Sequence, residues 1–246
     1  MSEHIWAPEL HYLFGKWYLY FAGGEKEDVW KIRPYVLECA DEDPLAGTWK
    51  ELGMMKRADE DEFSFTAFSL DATVFENKGN YYYVWAEKVG TGKQISNLYI
   101  AQMEAPDRLK TVQVLLTTPD YDWERIGFWV NEGPAVLKRD GKIYLTYSAS
   151  ETGICYCVGM LSVDEDADLL DPRQWKKERY PVLKTDEALG MQDTAEGHAV
   201  RAVYLYCAMA DLAYEYQDEG LLHACEKLYD NIIKKRMYLT GGIGSS

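Results

Sequence analysis

Three acidic residues stand in similar surroundings along the chain. Glu132 lies in Phe128-Trp129-Val130-Asn131-Glu132-Gly133-Pro134-Ala135-Val136-Leu137, between aromatic residues and a Gly-Pro pair. The backbone is fixed there and water is partly excluded. A carboxyl in that setting has its charged form disfavoured, so its pKa should rise toward the range useful for a general acid. Asp71 lies in Ser69-Leu70-Asp71-Ala72-Thr73-Val74-Phe75, and Glu9 in Trp6-Ala7-Pro8-Glu9-Leu10-His11-Tyr12. Taken alone, each of these acids also fits an exposed position at a strand end. Their spacing argues for more.

Each acid precedes an apolar strand, a short turn and a second strand, as in Lys138-Arg139-Asp140-Gly141-Lys142-Ile143-Tyr144-Leu145. The turn glycines fall at 15, 79 and 141, separated by 64 and 62 residues, and the acids at 9, 71 and 132, separated by 62 and 61. A fixed period of that length with a hairpin in every unit is the mark of a repeat architecture. Four-stranded propeller blades fit it best. The expected fold is mainly β, a partial propeller of about three blades over residues 1–184. Innermost strands of a propeller converge on one axis, which makes Glu9, Asp71 and Glu132 candidates for one acidic site at matched repeat positions. Trp6 is placed to stack on a ligand near the axis. Phe128 and Trp129 are placed either as a wall or lid or as a blade-to-blade packing pair.

Trp-Ala-Pro-Glu-Leu-His (6–11) with Gly-Lys-Trp-Tyr-Leu-Tyr-Phe (15–21), Leu-Asp-Ala-Thr-Val-Phe (70–75), and Val-Asn-Glu-Gly-Pro-Ala-Val-Leu (130–137) with Gly-Lys-Ile-Tyr-Leu-Thr-Tyr-Ser-Ala-Ser (141–150) resemble glycoside hydrolase family 43. The resemblance runs from about residue 5 to about residue 184 and is greatest to the α-L-arabinofuranosidase and β-xylosidase branch. It implies a five-bladed propeller, an inverting mechanism, Glu132 as general acid and Asp71 as the residue that raises its pKa and orients it. Trp6, Glu9, Phe128 and Trp129 become substrate-binding residues for an arabinose- or xylose-containing oligosaccharide. Inversion needs a second carboxylate roughly 6.5–9.5 Å from the acid to activate water. In the family that base is an Asp in a blade preceding the Trp-Ala-Pro motif, which has no match in this sequence. An alternative expectation is therefore a truncated or fused chain that binds sugar or self-assembles without turnover. No cofactor is expected, with a structural calcium ion on the propeller axis left open.

The remaining composition is consistent with that reading. A formal net charge of -15 argues against nucleic-acid or anionic-membrane partners, which need a basic surface, and neutral sugars tolerate it. Eight Trp, 19 Tyr and 7 Phe supply flat faces for sugar rings, although strand packing uses aromatics too. Five cysteines form an odd set with no framework spacing, which points to reduced thiols. No run reaches transmembrane length and no leader is visible, so the chain is expected in the cytoplasm, or secreted with its leader absent. Residues 56–62 read as a charged surface segment and Asp164–Asp168 as a solvated turn.

After residue 185 the apolar period changes from two to about 3.6. Ala199, Val203, Tyr206 and Ala210, then Leu221, Cys225, Leu228 and Ile232, fall on helical faces with a turn at 217–220, an αα-hairpin over 185–246. Gly-His-Ala-Val-Arg (197–201) and Met-Tyr-Leu-Thr-Gly-Gly-Ile-Gly (237–244) resemble a fragment of glycoside hydrolase family 127, the β-L-arabinofuranosidases. The fragment lacks that family's metal ligands and nucleophile, so His198 is expected to be structural. Unclosed blades leave sheet edges and an apolar flank, and a lone helical hairpin is marginal; the expectation is that the helices cap one open face or that chains form a homo-oligomer through the open blades or the helices.

Overall fold

The computed structural model describes residues 4–88, 94–152, 155–184 and 199–236. The chain divides into two compact units, Met1–Lys184 and Thr185–Ser246.

The first unit opens with an antiparallel meander in chain order: β1 (Ile5–Leu13), β2 (Lys16–Gly23), β3 (Arg33–Cys39) and β4 (Trp49–Met54). A second meander follows: β5 (Ser69–Asn77), β6 (Asn80–Glu87) and β7 (Gln94–Ala105), with short β8 (Arg108–Leu109) and β9 (Val114–Thr117) both pairing with β7. The third contains β10 (Trp129–Arg139), β11 (Lys142–Ala149) and β12 (Cys157–Asp164), with β13 (Lys176–Lys177) and β14 (Leu183–Lys184) pairing with β12. The three expected blades are present as meanders, but the second and third are not separate sheets. The start of β10 pairs in parallel with β7, Trp129 opposite Gln94 and Val130 opposite Ser96, so the two merge into one ten-stranded sheet. The Ser96 hydroxyl, donating to the Asn131 carbonyl at 2.9 Å, fastens that seam.

The hairpins form for a local reason. Phe14-Gly15, Lys78-Gly79 and Asp140-Gly141 each have positive φ at both residues, +48 and +79, +52 and +79, +52 and +74. Two such residues make the tight turn whose twist matches the flanking strands, and glycine carries the second position without steric cost. Strand β6 then explains why the aromatic run Tyr81–Trp85 does not alternate with polar residues. Tyr83 and Trp85 pack with Tyr18, Tyr20 and Val36 against the first meander, while Val84 and Ala86 pack with Ile143, Leu145 and Tyr147 of the third. The strand is buried on both faces, so both sets must be apolar.

One charged residue corrects the surface reading of its segment. Asp61, in the 56–62 stretch, is fully buried: it accepts from the backbone N–H of Phe63 (2.8 Å), Ser64 (3.0 Å) and Gln113 (3.1 Å) and from the Ser64 hydroxyl (2.5 Å). Glu124 is fully buried as well and is described below.

The second unit contains α1 (Ala199–Tyr216) and α2 (Glu219–Asn231), followed by a π-helical turn, Ile232–Arg236. Asp218 caps α2 by accepting from Leu221 N–H at 3.0 Å. The buried stripe differs from the expected one: Met209 and Ala213 are buried on α1 and Ala210 is exposed, because the face follows Tyr206, Met209 and Ala213 at steps of three and four. On α2, Ala224 and Leu228 are buried, with Leu221 and Cys225 packed beside them. His198 and residues 237–244 lie outside the described residues, as do the side chains of Ala199 and Val203.

Candidate active site

The innermost strands β1, β5 and β10 each lose register near their start, between Trp6 and Glu9, Leu70 and Thr73, and Glu132 and Ala135. Each break is a bulge around a left-handed residue: Ala7 at φ +46, Asp71 at +47 and Gly133 at +57. The equivalent residues of the three repeats are therefore Ala7, Asp71 and Gly133. This corrects the expectation that the three acids hold matched positions. Glu132 precedes its bulge residue, Asp71 is the bulge residue and Glu9 follows its own by two. The turn glycines carried the signal, since 7, 71 and 133 share their spacing of 64 and 62.

The offset does not separate the acids. Gly133 N–H donates to Asp71 Oδ2 at 3.1 Å, tying the bulge of one meander to the acid of the next. The Asp71 carboxyl is pushed up to about 6, first by burial, then by the negative charge of Glu132 and more weakly by that of Glu9, while the Gly133 N–H opposes the shift. Burial raises the pKa of Glu132 too, and the Tyr156 hydroxyl, donating to Glu132 Oε1 at 2.7 Å, pulls the other way. Tyr156 is held in turn by Ser148 and has its own ionisation pushed up by burial and by the charge of Glu132. Two carboxyls that repel in a poorly hydrated place release their protons in two steps that belong to the pair. One of them thus stays protonated at a pH where an exposed acid is ionised. Such a pair can give a proton to a basic oxygen.

Glu9 completes the acidic group and pairs with His11 Nε2 at 2.8 Å. Trp6 touches His4, Trp30 and Phe68, with ring centroids 5.2, 6.1 and 6.1 Å away. Phe128 is 50% exposed. Trp129 is half-buried at the start of β10, with the Arg125 guanidinium of the preceding loop 4.8 Å above its ring. Among the described residues no group of three or more His, Cys, Asp or Glu side chains is arranged to hold a metal ion.

Behind the acid strand lies a polar hub absent from the sequence reading. Glu124, on a 3₁₀ turn over Asp122–Glu124, accepts from Asp120 N–H (2.8 Å), Tyr121 N–H (2.9 Å), Asn131 Nδ2 (3.0 Å), the Tyr147 hydroxyl (2.9 Å) and Lys177 Nζ (2.7 Å). Asn131 immediately precedes Glu132, so this hub fixes the strand at the point where the acid leaves it.

Residues 1–221 match the model of glycosyl hydrolases family 43. The chain belongs to that family. Over 187 residues it is 48% identical to the extracellular exo-α-(1→5)-L-arabinofuranosidase of Streptomyces chartreusis, a match covering 76% of this chain and 55% of that one. The crystal structure of an α-L-arabinofuranosidase from Lactobacillus brevis superposes with a TM-score of 0.67 at 49% identity, covering 76% of this chain and 57% of that one. The chain thus spans little more than half the length of these family 43 relatives. A 55-residue stretch is also 44% identical to the non-reducing end β-L-arabinofuranosidase of Bifidobacterium longum subsp. longum, covering 22% of this chain and 8% of that enzyme, too short a share to carry over its activity. No described helix is long and apolar enough to cross a membrane.

Proposed function

We propose that this family 43 chain carries the acid half of a glycosidase that removes terminal arabinofuranosyl units from an oligosaccharide or polysaccharide. The observation that carries the reading is the Asp71–Glu132 pair, two carboxyls of raised pKa joined through Gly133 N–H at the starts of neighbouring inner strands. Glu132 is the general acid: its protonated carboxyl gives a proton to the glycosidic oxygen as the bond to the sugar breaks. Asp71 and Glu132 disfavour each other's ionisation, so the pair retains one proton to deliver, and Asp71 holds the bulge that aims Glu132. Water attacks the anomeric carbon from the opposite face and passes its proton to a further carboxylate. Asp71 is not assigned that role, because it is tied beside the acid. Glu9 and Trp6 line the sugar. The chemistry consists of proton transfers and calls on no cofactor. The arabinofuranosyl substrate, in preference to a xylosyl one, rests on relatives that are arabinofuranosidases, and a place outside the cell rests on the extracellular Streptomyces enzymes among them.

The test is hydrolysis of a nitrophenyl α-L-arabinofuranoside by the full chain. Glu132→Gln should lower kcat by about 10²–10⁴-fold, the usual yield of a positioned general acid. Activity that survives this substitution removes Glu132 from the mechanism. The alternative, sugar binding without turnover, is not favoured, since the relatives are named for hydrolysing arabinofuranosyl units. Under it, calorimetry detects an arabinofuranosyl oligosaccharide bound by a chain that releases no nitrophenol.

A further inference from the structure

Trp30 lies on the loop between β2 and β3, and it stands 62% exposed. The loop is not loose. Trp30 N–H donates to Asp28 Oδ1 at 3.1 Å and Lys31 N–H to the Asp28 carbonyl at 3.0 Å, an Asx-type turn that fixes the backbone from which the indole projects. The neighbouring Ile32 is fully buried, its carbonyl accepts from Ser69 N–H at 3.2 Å, and Arg33 Nη2 donates to the Thr66 carbonyl at 2.7 Å. The loop is thereby pinned to the segment that leads into Asp71. At its other end, Gly24 N–H donates to the His4 carbonyl at 3.0 Å and Trp6 pairs with Ala22, which ties it to the start of β1 and the bulge at Ala7. Trp30 therefore sits at the end of the inner strands that holds the carboxyls.

Its ring contacts are tilted or edge-on. His4 lies 4.5 Å away at 41°, Trp6 6.1 Å away at 62°, and Trp6 meets Phe68 at 54°. A cluster built only for packing would bury its largest member. Here one of the two tryptophans stands on a pinned backbone and is left open to water. Holding a wide flat face rigid and exposed lowers the ordering cost of a ligand that stacks on it.

We propose that Trp30, backed by His4, Trp6 and Phe68, is a second sugar-ring site, which takes the arabinosyl ring on the leaving-group side of the bond that is broken. This rests on the hydrolase reading for its direction. If the terminal unit is held by carboxyls at the strand starts, the rest of the oligosaccharide must leave across the rim, and the β2–β3 loop is that rim beside Asp71. The site gives preference for a chain of sugars over a single glycoside.

The experiment compares affinities for an α-1,5-linked arabinofuranosyl trisaccharide and for methyl α-L-arabinofuranoside, by calorimetry on Glu132→Gln so that turnover does not intervene. The trisaccharide should bind about tenfold tighter, in line with one stacked ring. Trp30→Ala should erase that preference and Trp30→Phe should keep most of it. Oxidation of Trp30 by N-bromosuccinimide, followed by peptide mass, tests the same contact without any substitution at Trp30: the trisaccharide should slow it and the methyl glycoside should not. Equal affinity for the two ligands, a preference that persists in Trp30→Ala, or oxidation indifferent to the trisaccharide overturns the site. Failure of the hydrolase reading looks different: the nitrophenyl glycoside is not turned over while the trisaccharide preference and the Trp30 protection remain.

Discussion

At the scale of single residues, the carboxyl pair carries a cost in stability that can be measured. Asp71 has its pKa pushed up to about 6 in the folded chain, against about 3.9 for an unfolded aspartate. Between those values the folded state binds the proton more tightly than the unfolded one, so the stability contributed at Asp71 falls as pH rises from about 4 to about 6, and the deficit is complete at pH 7. Asn cannot ionise, can still accept from Gly133 N–H, and tolerates φ +47 better than most residues. Asp71→Asn should therefore stabilise the chain at pH 7 by about 1–2 kcal/mol, discounted for partial exposure, and by nothing below about pH 4. Urea melts at the two pH values measure it; a variant less stable at pH 7 contradicts the origin of the shift. Tyr156 gives the complementary case. Its hydroxyl favours the ionised form of Glu132, so Tyr156→Phe should move the alkaline limb of the pH–rate profile upward. A limb that stays in place separates Tyr156 from proton delivery. Glu132 and Asp71 were legible in the sequence because each stands in a distinctive local motif. Tyr156 and Ser148 were not, since they reach Glu132 only once β10, β11 and β12 are paired, and nothing near either residue in the chain announces it.

At the scale of elements, legibility follows how local the determining chemistry is. All three inner hairpins could be read, because a two-residue turn ending in glycine and an alternating apolar pattern fix them within a few residues. The bulges could not be assigned in the same way. A left-handed aspartate or alanine looks like any other in sequence, so Asp71 was set equivalent to Glu132 when its partner in the repeat is Gly133. Buried charge failed for a related reason. Asp61 and Glu124 are surface residues by composition, and both are buried because nearby backbone N–H groups converge on them. The Glu124 hub predicts its own test. Glu124→Ala leaves Lys177, Asn131 and Tyr147 without a shared acceptor in a dry place, and breaking a buried ion pair from one side costs about 3–5 kcal/mol. Glu124→Gln, which keeps an acceptor oxygen, should lose distinctly less. Chemical denaturation of both variants decides it, and a loss under about 1 kcal/mol for the alanine variant would mean that the hub holds nothing. A drop in activity larger than the stability loss explains would place the effect at Glu132, one residue beyond Asn131.

At the scale of the whole molecule, the question is what covers the apolar surface that each unit presents. In the sheet unit, β1 exposes Ile5, Leu10 and Tyr12, with Phe14 in the turn beyond it. The helical unit buries Met209, Ala213, Ala224 and Leu228, while Leu212, Tyr214, Tyr216, Leu222, Tyr229 and Ile233 stand exposed. Single exposed apolar residues are ordinary, but several on one short element favour association. The charge of -15 opposes it through mutual repulsion, and salt screens that repulsion within about 10 Å at 0.1 M. Association should therefore strengthen with ionic strength, the reverse of what contacts between opposite charges would show. Light scattering should give a mass above the 28.3 kDa of one chain, increasing with salt and with protein concentration. Leu212→Glu with Leu222→Glu tests the helical route, and Leu10→Glu with Tyr12→Lys the route through β1. If one pair of substitutions returns the mass to a single chain and the other does not, the contact is located. A single-chain mass at every salt and protein concentration shows that these side chains face water at a tolerable cost, and the association is then wrong.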